Sequence, residues 1–422
     1  MTTVKKRLAI VSTVAAPYRV SQHLRIVREL GDEVELWSLV LFEHDWQPWD
    51  YELPPEIRPI VFGKGQYGSE KNRYPFREWR KIGRVIRCLQ ENNIDMVITT
   101  GVSNPASLRL IRWCHRHNIP NFLFADANAL GDKAGGIRRL IKNRYMKWVM
   151  KWITGLMPCG TRGKQYFERY GGNNKPCFFM PHEPDYGRIF QVSPEVRQAT
   201  QVKFGLRPDR KRIVFSGRLA AVKGIDTLID AFVEIAAKRP DWDLLIIGGG
   251  QLEQQLRERV PEALADRVVW AGFVNDRDEL SALYTCAHVF VLPSRFEPWA
   301  VVVCEAAAAG LAMITSNMVG AGAELCREGV NGGIFPAGDV ARLVELLLQI
   351  TEDPARLQEM RTATLRVLDA WRRRGDPVQG VRLAMAHVGL LDPPPPVEPD
   401  PPTPVQLSET TAPISPLNQT QS

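Results

Sequence analysis

Short apolar runs, each too short to be a helix, recur along this chain, and a longer stretch with helical spacing follows most of them. That alternation constrains the fold more than any other feature. Residues 8–14, 34–42, 96–100 and 121–125 read as strands, with a helix over 104–117 between the last two. The second half repeats the pattern: a strand at 213–216, a helix at 225–238, and a strand at 244–247 that ends in Gly248-Gly249-Gly250. Further strands follow at 268–270, 288–292 and 312–315. Continuous apolar strands are buried on both faces. Strand–helix alternation therefore predicts an α/β fold of mainly parallel sheets covered by helices. Residues 180–194, rich in Pro with Glu183 and Asp185, read as a linker. The expectation is two doubly wound domains, residues 1–190 and 191–375, with a cleft between them. Residues 376–390 are expected to form a C-terminal helix returning to the first domain. Sites in such sheets lie beyond the carboxyl ends of strands, and domain interfaces favour pockets.

Composition narrows the class. Of the 422 residues 45% are hydrophobic and 24% charged, which suits folded domains rather than a disordered chain. From residue 391 the character changes: Pro393-Pro394-Pro395-Pro396 opens a Pro-, Thr- and Ser-rich tail to Ser422, expected to be extended and disordered. Asn418 in it matches a glycosylation sequon. The seven cysteines are scattered and form no close pair, which argues against a disulfide framework or structural zinc and fits a reducing, cytoplasmic setting. No run reaches the ~18 apolar residues of a membrane span. Lys5-Lys6-Arg7 and the apolar residues after it imitate a signal peptide, but the run ends at Pro17 and reads better as a buried strand.

The net charge of +7 is uneven. Residues 1–190 carry 30 Lys and Arg against 18 Asp and Glu, whereas the remainder carries 24 against 29. Two readings stand: the first half meets something anionic, or it is a basic surface with no special partner. Residues 138–153 sharpen the question. They are basic and amphipathic at helical spacing, with Ile141, Tyr145, Trp148 and Trp152 on one face. Such a helix suits the anionic surface of a membrane, giving a peripheral protein, or it packs in the first domain with a solvated basic side. The basic residues follow no nucleic-acid-binding pattern, so no nucleic-acid partner is expected.

The chemistry concentrates in residues 289–305. A strand ends at Leu292, a short loop reaches Glu297, and Pro298 suits the first position of a helix expected to run to about Ala309 and stop at Gly310. A helix N-terminus there suits a phosphate. Glu297 at its mouth can accept hydrogen bonds from sugar hydroxyls, and Glu305, two turns along, can grip a diol such as a ribose. The plainer alternative is that both glutamates complement the helix dipole. A second strand–loop–helix junction spans 213–224. Gly217 and Gly224 allow a tight turn, and Arg218 and Lys223 place two cations where they can hold a diphosphate. It is not a Walker A loop, and the glycine triplet at 248–250 is not a dinucleotide fingerprint.

Six segments stand in the order and spacing of one known family: Gly217-Arg218-Leu219 with Lys223-Gly224, Ile246 to Gly250, Ala271 to Val274, Pro293-Ser294 with Glu297-Pro298-Trp299, Glu305-Ala306, and Gly329 to Gly332. Over about residues 210–350 the chain resembles the family 4 (group 1) retaining glycosyltransferases, and more weakly before that. The resemblance implies the GT-B fold, two Rossmann-like domains with a nucleotide-diphosphate-sugar held mainly by the second. It implies that Arg218 and Lys223 bind the diphosphate, that Glu297 contacts the transferred sugar and that Glu305 contacts the ribose. Glu297, Arg218 and Lys223 would be the catalytic set, and Gly217, Gly248, Phe273, Pro298, Trp299 and Ala300 would complete the donor site. No metal or other cofactor is expected, and the spacings Asp241–Asp243 and Asp276–Asp278 are read as accidental. The transfer would retain the anomeric configuration by front-side attack assisted by the departing phosphate.

Three departures bear on the donor. The family usually has Gly where this chain has Ala300, which would crowd the sugar. It often has Asn where this chain has Cys304. Its glycine-rich N-terminal loop is replaced by Thr13 to Arg19. The acceptor-side candidates are Pro17, Tyr18 and Arg19 in that loop, Asp126 and Asn128 after a strand end, and His182 in the linker, all equally open to structural roles. The acceptor would be a carbohydrate or lipid-linked molecule. Rival readings are an epimerase or phosphorylase, for which no pyridoxal phosphate lysine site exists, and a degenerate binding or partner subunit. Ala300 favours the latter, and the retained Arg218, Lys223, Glu297 and Glu305 oppose it.

Overall fold

The computed structural model describes residues 4–43, 53–63, 75–102, 105–132 and 134–394. The first sheet contains β1 (Lys6–Ser12), β2 (Val34–Val40), β3 (Pro59–Val61), β4 (Met96–Thr100), β5 (Asn121–Ala125) and β6 (Gly155–Pro158). The second contains β7 (Lys211–Ser216), β8 (Trp242–Ile247), β9 (Val268–Gly272), β10 (Val289–Leu292), β11 (Ala312–Ser316) and β12 (Gly332–Phe335). Every pairing is parallel. The orders are β3-β2-β1-β4-β5-β6 and β12-β11-β10-β7-β8-β9, the same winding twice. In each sheet the chain reverses direction of growth between its first and fourth strands, β1/β4 and β7/β10. Ligands of such sheets bind in the crevice that opens there.

Fifteen helices accompany these strands among the described residues. The first seven are α1 (Pro17–Leu30), α2 (Pro75–Glu91), α3 (Pro105–Arg116), α4 (Gly136–Met150), α5 (Thr161–Arg169), α6 (Tyr186–Phe190) and α7 (Pro194–Lys203). The next five are α8 (Ile225–Ile235), α9 (Glu253–Glu258), α10 (Arg277–Thr285), α11 (Val301–Ala308) and α12 (Gly322–Leu325). The last three are α13 (Val340–Glu352), α14 (Pro354–Arg374) and α15 (Pro377–His387). Strand sequence explains the layering: Trp242, Leu244, Leu245, Ile246 and Ile247 of β8 are all buried, as a strand covered on both faces requires. Ile225, Leu228, Ile229, Phe232 and Ile235 of α8 recur at helical spacing and form its buried stripe.

Several expectations shift. The first strand starts earlier than residue 8, at Lys6, because Arg7 is held at the sheet margin by Glu35 (3.2 Å). The apolar run after Val40 leaves the sheet, and α8 ends at Ile235 rather than 238. The stretch 180–194 is not a solvated linker. Met180, His182, Glu183, Tyr186 and Ile189 are buried, α6 forms within it, and Gln22 Nε2 donates to the Pro181 carbonyl at 2.9 Å. In α4, Met146, Val149 and Met150 make the buried side, Tyr145 is half-buried and donates its hydroxyl to the Val102 carbonyl at 2.6 Å, and Trp152 lies beyond the helix end. Its amphipathic face is therefore not the one read from Ile141, Tyr145, Trp148 and Trp152. No described helix is long and apolar enough to cross a membrane.

After α14 the chain recrosses to α1: Arg25 Nη2 meets Asp376 at 2.8 Å, and Arg382 Nη1 meets Glu33 at 2.6 Å. Leu390 and Leu391 still pack on the core, so the folded part extends past residue 390. Residues 395–422, with the expected Pro-rich tail and Asn418, lie outside the described residues.

Candidate functional site

The β7/β10 crossover places two loops side by side. After β7 the chain passes Gly217, Arg218 and Leu219 into a single 3-10 turn, Ala221–Lys223, and then Gly224. Gly224 holds φ +62°, and a Cβ on it would stand 2.3 Å from the Pro293 carbonyl oxygen. Gly248, at φ +130°, faces Gly217, whose carbonyl oxygen would lie 2.0 Å from a Cβ. The loop after β7 thus touches those after β8 and β10 backbone to backbone, which leaves their rims open to a ligand. Gly217 N donates to the Ile247 carbonyl at 2.9 Å and Leu219 N to that of Gly249 at 3.0 Å, fixing Arg218 between them. Phe273, half exposed after β9, stands beside Gly249 at the rim.

After β10 comes the stretch from Pro293 to Ala300. Lys223 Nζ forms an ion pair with Glu297 Oε1, and Ser294 Oγ donates to the same oxygen at 3.2 Å. Glu297 is buried and Lys223 half-buried, so carboxylate and ammonium are held together at the cleft floor. Ser294, not singled out from the sequence beyond the motif that contains it, is fully buried and holds the carboxylate.

Pro298 is not the first residue of the following helix. α11 starts at Val301, and its N-cap is Ala300 at φ +82°, ψ 89°. Between them Trp299 is buried, with Nε1 donating to the His182 carbonyl at 2.7 Å. Pro298 and Trp299 are spent on an anchor between the halves, and the helix waits until Val301. Ala300 sits where the backbone calls for glycine, so its methyl acts first on the backbone and not on a ligand. No side chain caps α8 or α11, whereas Asp276, Asp339, Asp353 and Asp376 cap α10, α13, α14 and α15. The two helices that open onto the crossover crevice therefore keep uncapped N-termini. Gly310, at φ +65°, follows α11 as expected.

Glu305 lies in α11, and Tyr284 OH donates to its Oε2 at 2.8 Å while Arg277 stands 4.0 Å from Oε1. Burial raises the Glu305 carboxyl above its ordinary value, and Tyr284 and Arg277 pull the other way. Tyr284 and Arg277 are absent from the sequence reading. Their seven-residue separation, two turns on one helix face, was the available signal.

The acceptor-side candidates separate into two groups. Tyr18, Arg19 and His182 come together: the His182 ring lies 4.6 Å from Tyr18 and 5.0 Å from Phe124, and the Arg19 guanidinium lies 5.4 Å from Phe124. Neither His182 ring nitrogen has a partner, and burial, then Arg19 and His23, hold its pKa well below the usual value. Pro17 is the first residue of α1. Asp126, exposed after β5, lines a tight crevice with Cys159, Gly160, Pro298 and Trp299. Asn128 is engaged with the cleft wall itself: Nδ2 donates to the Glu297 carbonyl at 3.0 Å, and Oδ1 accepts from Leu130 N at 2.7 Å. Arg162 Nη1 adds a bond to the Val319 carbonyl at 2.8 Å, and Glu324 accepts from Thr161 N at 2.7 Å. Cys304, within α11, is buried. The two Asp-x-Asp spacings are already occupied. Asp243 answers Arg210 at 2.6 Å, Asp241 answers Lys211 at 3.3 Å, and Asp276 caps α10 while Asp278 meets Arg188 at 2.6 Å.

Residues 196–366 match the family described as glycosyl transferases group 1. The chain is similar to mannosylfructose-phosphate synthase of Agrobacterium fabrum, at 35% identity over 179 residues covering 40% of this chain and 36% of that protein. It is also similar to the GDP-mannose-dependent monoacylated alpha-(1-6)-phosphatidylinositol monomannoside mannosyltransferase of Corynebacterium glutamicum, at 30% over 204 residues, 47% of this chain and 52% of that one. The matches thus span between about a third and a half of these relatives' lengths. Among solved structures it shares its fold with sucrose-phosphate synthase from Thermosynechococcus elongatus, with TM-score 0.70 at 18% identity over 92% of this chain and 99% of that one. The Anabaena protein HepE in complex with UDP gives TM-score 0.67 at 16% identity, over 92% and 100%.

Proposed function

Through residues 196–366 the chain belongs to the group 1 glycosyltransferases, and from that premise we propose that it moves a sugar from a nucleotide-diphosphate-sugar to a hydroxyl acceptor, with retention and without a metal. The observation that carries this reading is the Lys223–Glu297–Ser294 cluster beneath the uncapped helices α8 and α11. A diphosphate laid over the 217–224 loop meets Lys223, Arg218 and the helix N-termini, which together supply the positive charge a leaving diphosphate needs. Glu297 then shares Lys223 with the phosphate and turns its free lone pairs to the sugar hydroxyls. Glu305, oriented by Tyr284, accepts from the ribose. The acceptor oxygen forms its bond to the anomeric carbon as the carbon–oxygen bond to the diphosphate breaks. The acceptor proton passes to the departing phosphate oxygen, so no side-chain nucleophile is required.

Release of nucleoside diphosphate from a panel of nucleotide-sugars with candidate acceptors tests the proposal. Arg218→Ala and Lys223→Ala are each expected to slow release on the order of 10²-fold or more, as loss of a key electrostatic group does. A chelator is expected to leave the rate unchanged. Turnover indifferent to both substitutions would remove the cationic clamp, and turnover abolished by the chelator would remove the metal-free mechanism.

We propose further that the acceptor is lipid-linked and reached at an anionic membrane. Ile137 (77% exposed), Leu140 (62%), Ile141 (62%) and Trp148 (44%) stand out from α4 among the exposed Arg138, Arg139, Arg144 and Lys147. Apolar side chains ringed by cations suit a headgroup layer. The Corynebacterium relative is named for a phosphatidylinositol monomannoside, which favours the same class.

A further inference from the structure

A cavity of about 610 Å³ opens on the second domain away from the cleft. Ser193, Arg197 and Gln201 of the α7 side line it, facing Leu206 and Pro208 ahead of β7 and Thr285 at the end of α10. These last elements lead into the amino ends of β7 and β10, whereas the cleft lies beyond the carboxyl ends. The two sites are thus separated by a strand length, on the order of 20 Å.

Arginines gather behind this cavity. Among the described residues Arg197, Arg212 and Arg361 form no ion pair, although their neighbours Arg210 and Lys211 are answered by Asp243 and Asp241. Cys286 ties two of the three together: its thiol lies 3.7 Å from the Arg197 carbonyl, and its own carbonyl accepts from Arg212 Nη1 at 3.1 Å. Arg212 is 1% exposed, donates to the Arg207 carbonyl beside the cavity wall, and keeps a buried Nε with no partner. His288 accepts from Arg212 N at 3.1 Å, and its pKa falls to about 3, first through burial and then through Arg361, Arg212, Arg197 and Lys211. Of these cations Arg197 lines the cavity itself, and Arg212 lies buried behind it. Ser193 caps the N-terminus of α7, its Oγ accepting from Val196 N at 3.3 Å. An arginine at a concave surface beside hydroxyl and amide side chains, with a second arginine buried behind it, suits a phosphoryl group on a hydroxylated body.

We propose that this cavity binds a small phosphorylated metabolite, with Arg197 on the phosphoryl group and Ser193, Gln201 and Thr285 on the body that carries it. The proposal does not depend on the glycosyl-transfer reading. Calorimetric titration of the full chain with inorganic phosphate, glucose 6-phosphate and AMP tests it, because these share the phosphoryl group and differ in the body. At least one is expected to bind, with affinity at least tenfold weaker in Arg197→Glu and partly restored in Arg197→Lys. Arg197 is on the surface of α7, so its variants are expected to fold, and unchanged far-ultraviolet circular dichroism checks this. Absence of binding by all three probes, or binding that survives Arg197→Glu, would overturn the proposal.

Discussion

Ala300 holds φ +82°, where an L-residue pays roughly 1–2 kcal/mol for the clash between Cβ and the backbone. Ala300→Gly is therefore expected to stabilise the fold by about 1 kcal/mol, read as a higher midpoint of denaturant unfolding at unchanged slope. A lower midpoint would show that the methyl's packing outweighs the strain. The identity of this position was legible in the sequence as a departure from the family, but its meaning was not. Spacing suggested that Pro298 opened the helix, and only the Trp299–His182 bond shows why the helix waits until Val301. Motif, spacing and the family resemblance single out Lys223, Glu297 and Glu305, and the fold brings Lys223 and Glu297 into contact. Their partners Ser294, Tyr284 and Arg277 were harder to find, because a residue that holds another acts through contacts between elements that sequence order does not display.

At the scale of elements, α4 carries the sharpest prediction. Leu140→Asp combined with Ile141→Asp removes exposed apolar surface and adds negative charge, so it is expected to cost no fold stability and to weaken binding to anionic phospholipid vesicles at low salt by tenfold or more. Equal binding by variant and parent would take α4 out of any membrane contact. The strands were the most legible elements: β4 and β5 stand where their apolar runs predict, because a strand buried on both faces must be apolar throughout. The region 180–194 was misread for a related reason. Pro and acidic residues ordinarily mark solvated chain, but here Pro181 and His182 offer carbonyls to Gln22 and Trp299, and Glu183 meets Arg25.

At the scale of the whole molecule, among the described residues His23 and His182 are buried, His288 is half-buried, and all three are held neutral. Burial brings His23 and His288 to about 3 and sets His182 well below its usual range. The unfolded chain binds protons at these sites from about 6.5 downward while the folded chain does not, so stability falls as pH drops below that value. Burial pushes Glu183 up to about 7 and raises Glu305, and these carboxyls oppose the trend above 4.5 because there the folded state holds the extra proton. His288→Gln is expected to flatten the decline between pH 6 and 4.5 by up to about 1.4 kcal/mol per pH unit, measured by urea unfolding at each pH. An unchanged slope would mean that the imidazole protonates in the fold. The two halves are further joined by Arg25, which bridges Glu183 and Asp376, and by Asn128, which reaches the carbonyl of Glu297. The proposed function seats the nucleotide in one crevice, beyond β7 and β10. Calorimetric titration with UDP and GDP tests that claim directly. The account predicts that one of them binds the parent chain and that Glu305→Ala and Lys223→Ala each weaken it at least tenfold; binding of neither, or binding indifferent to both substitutions, would contradict it.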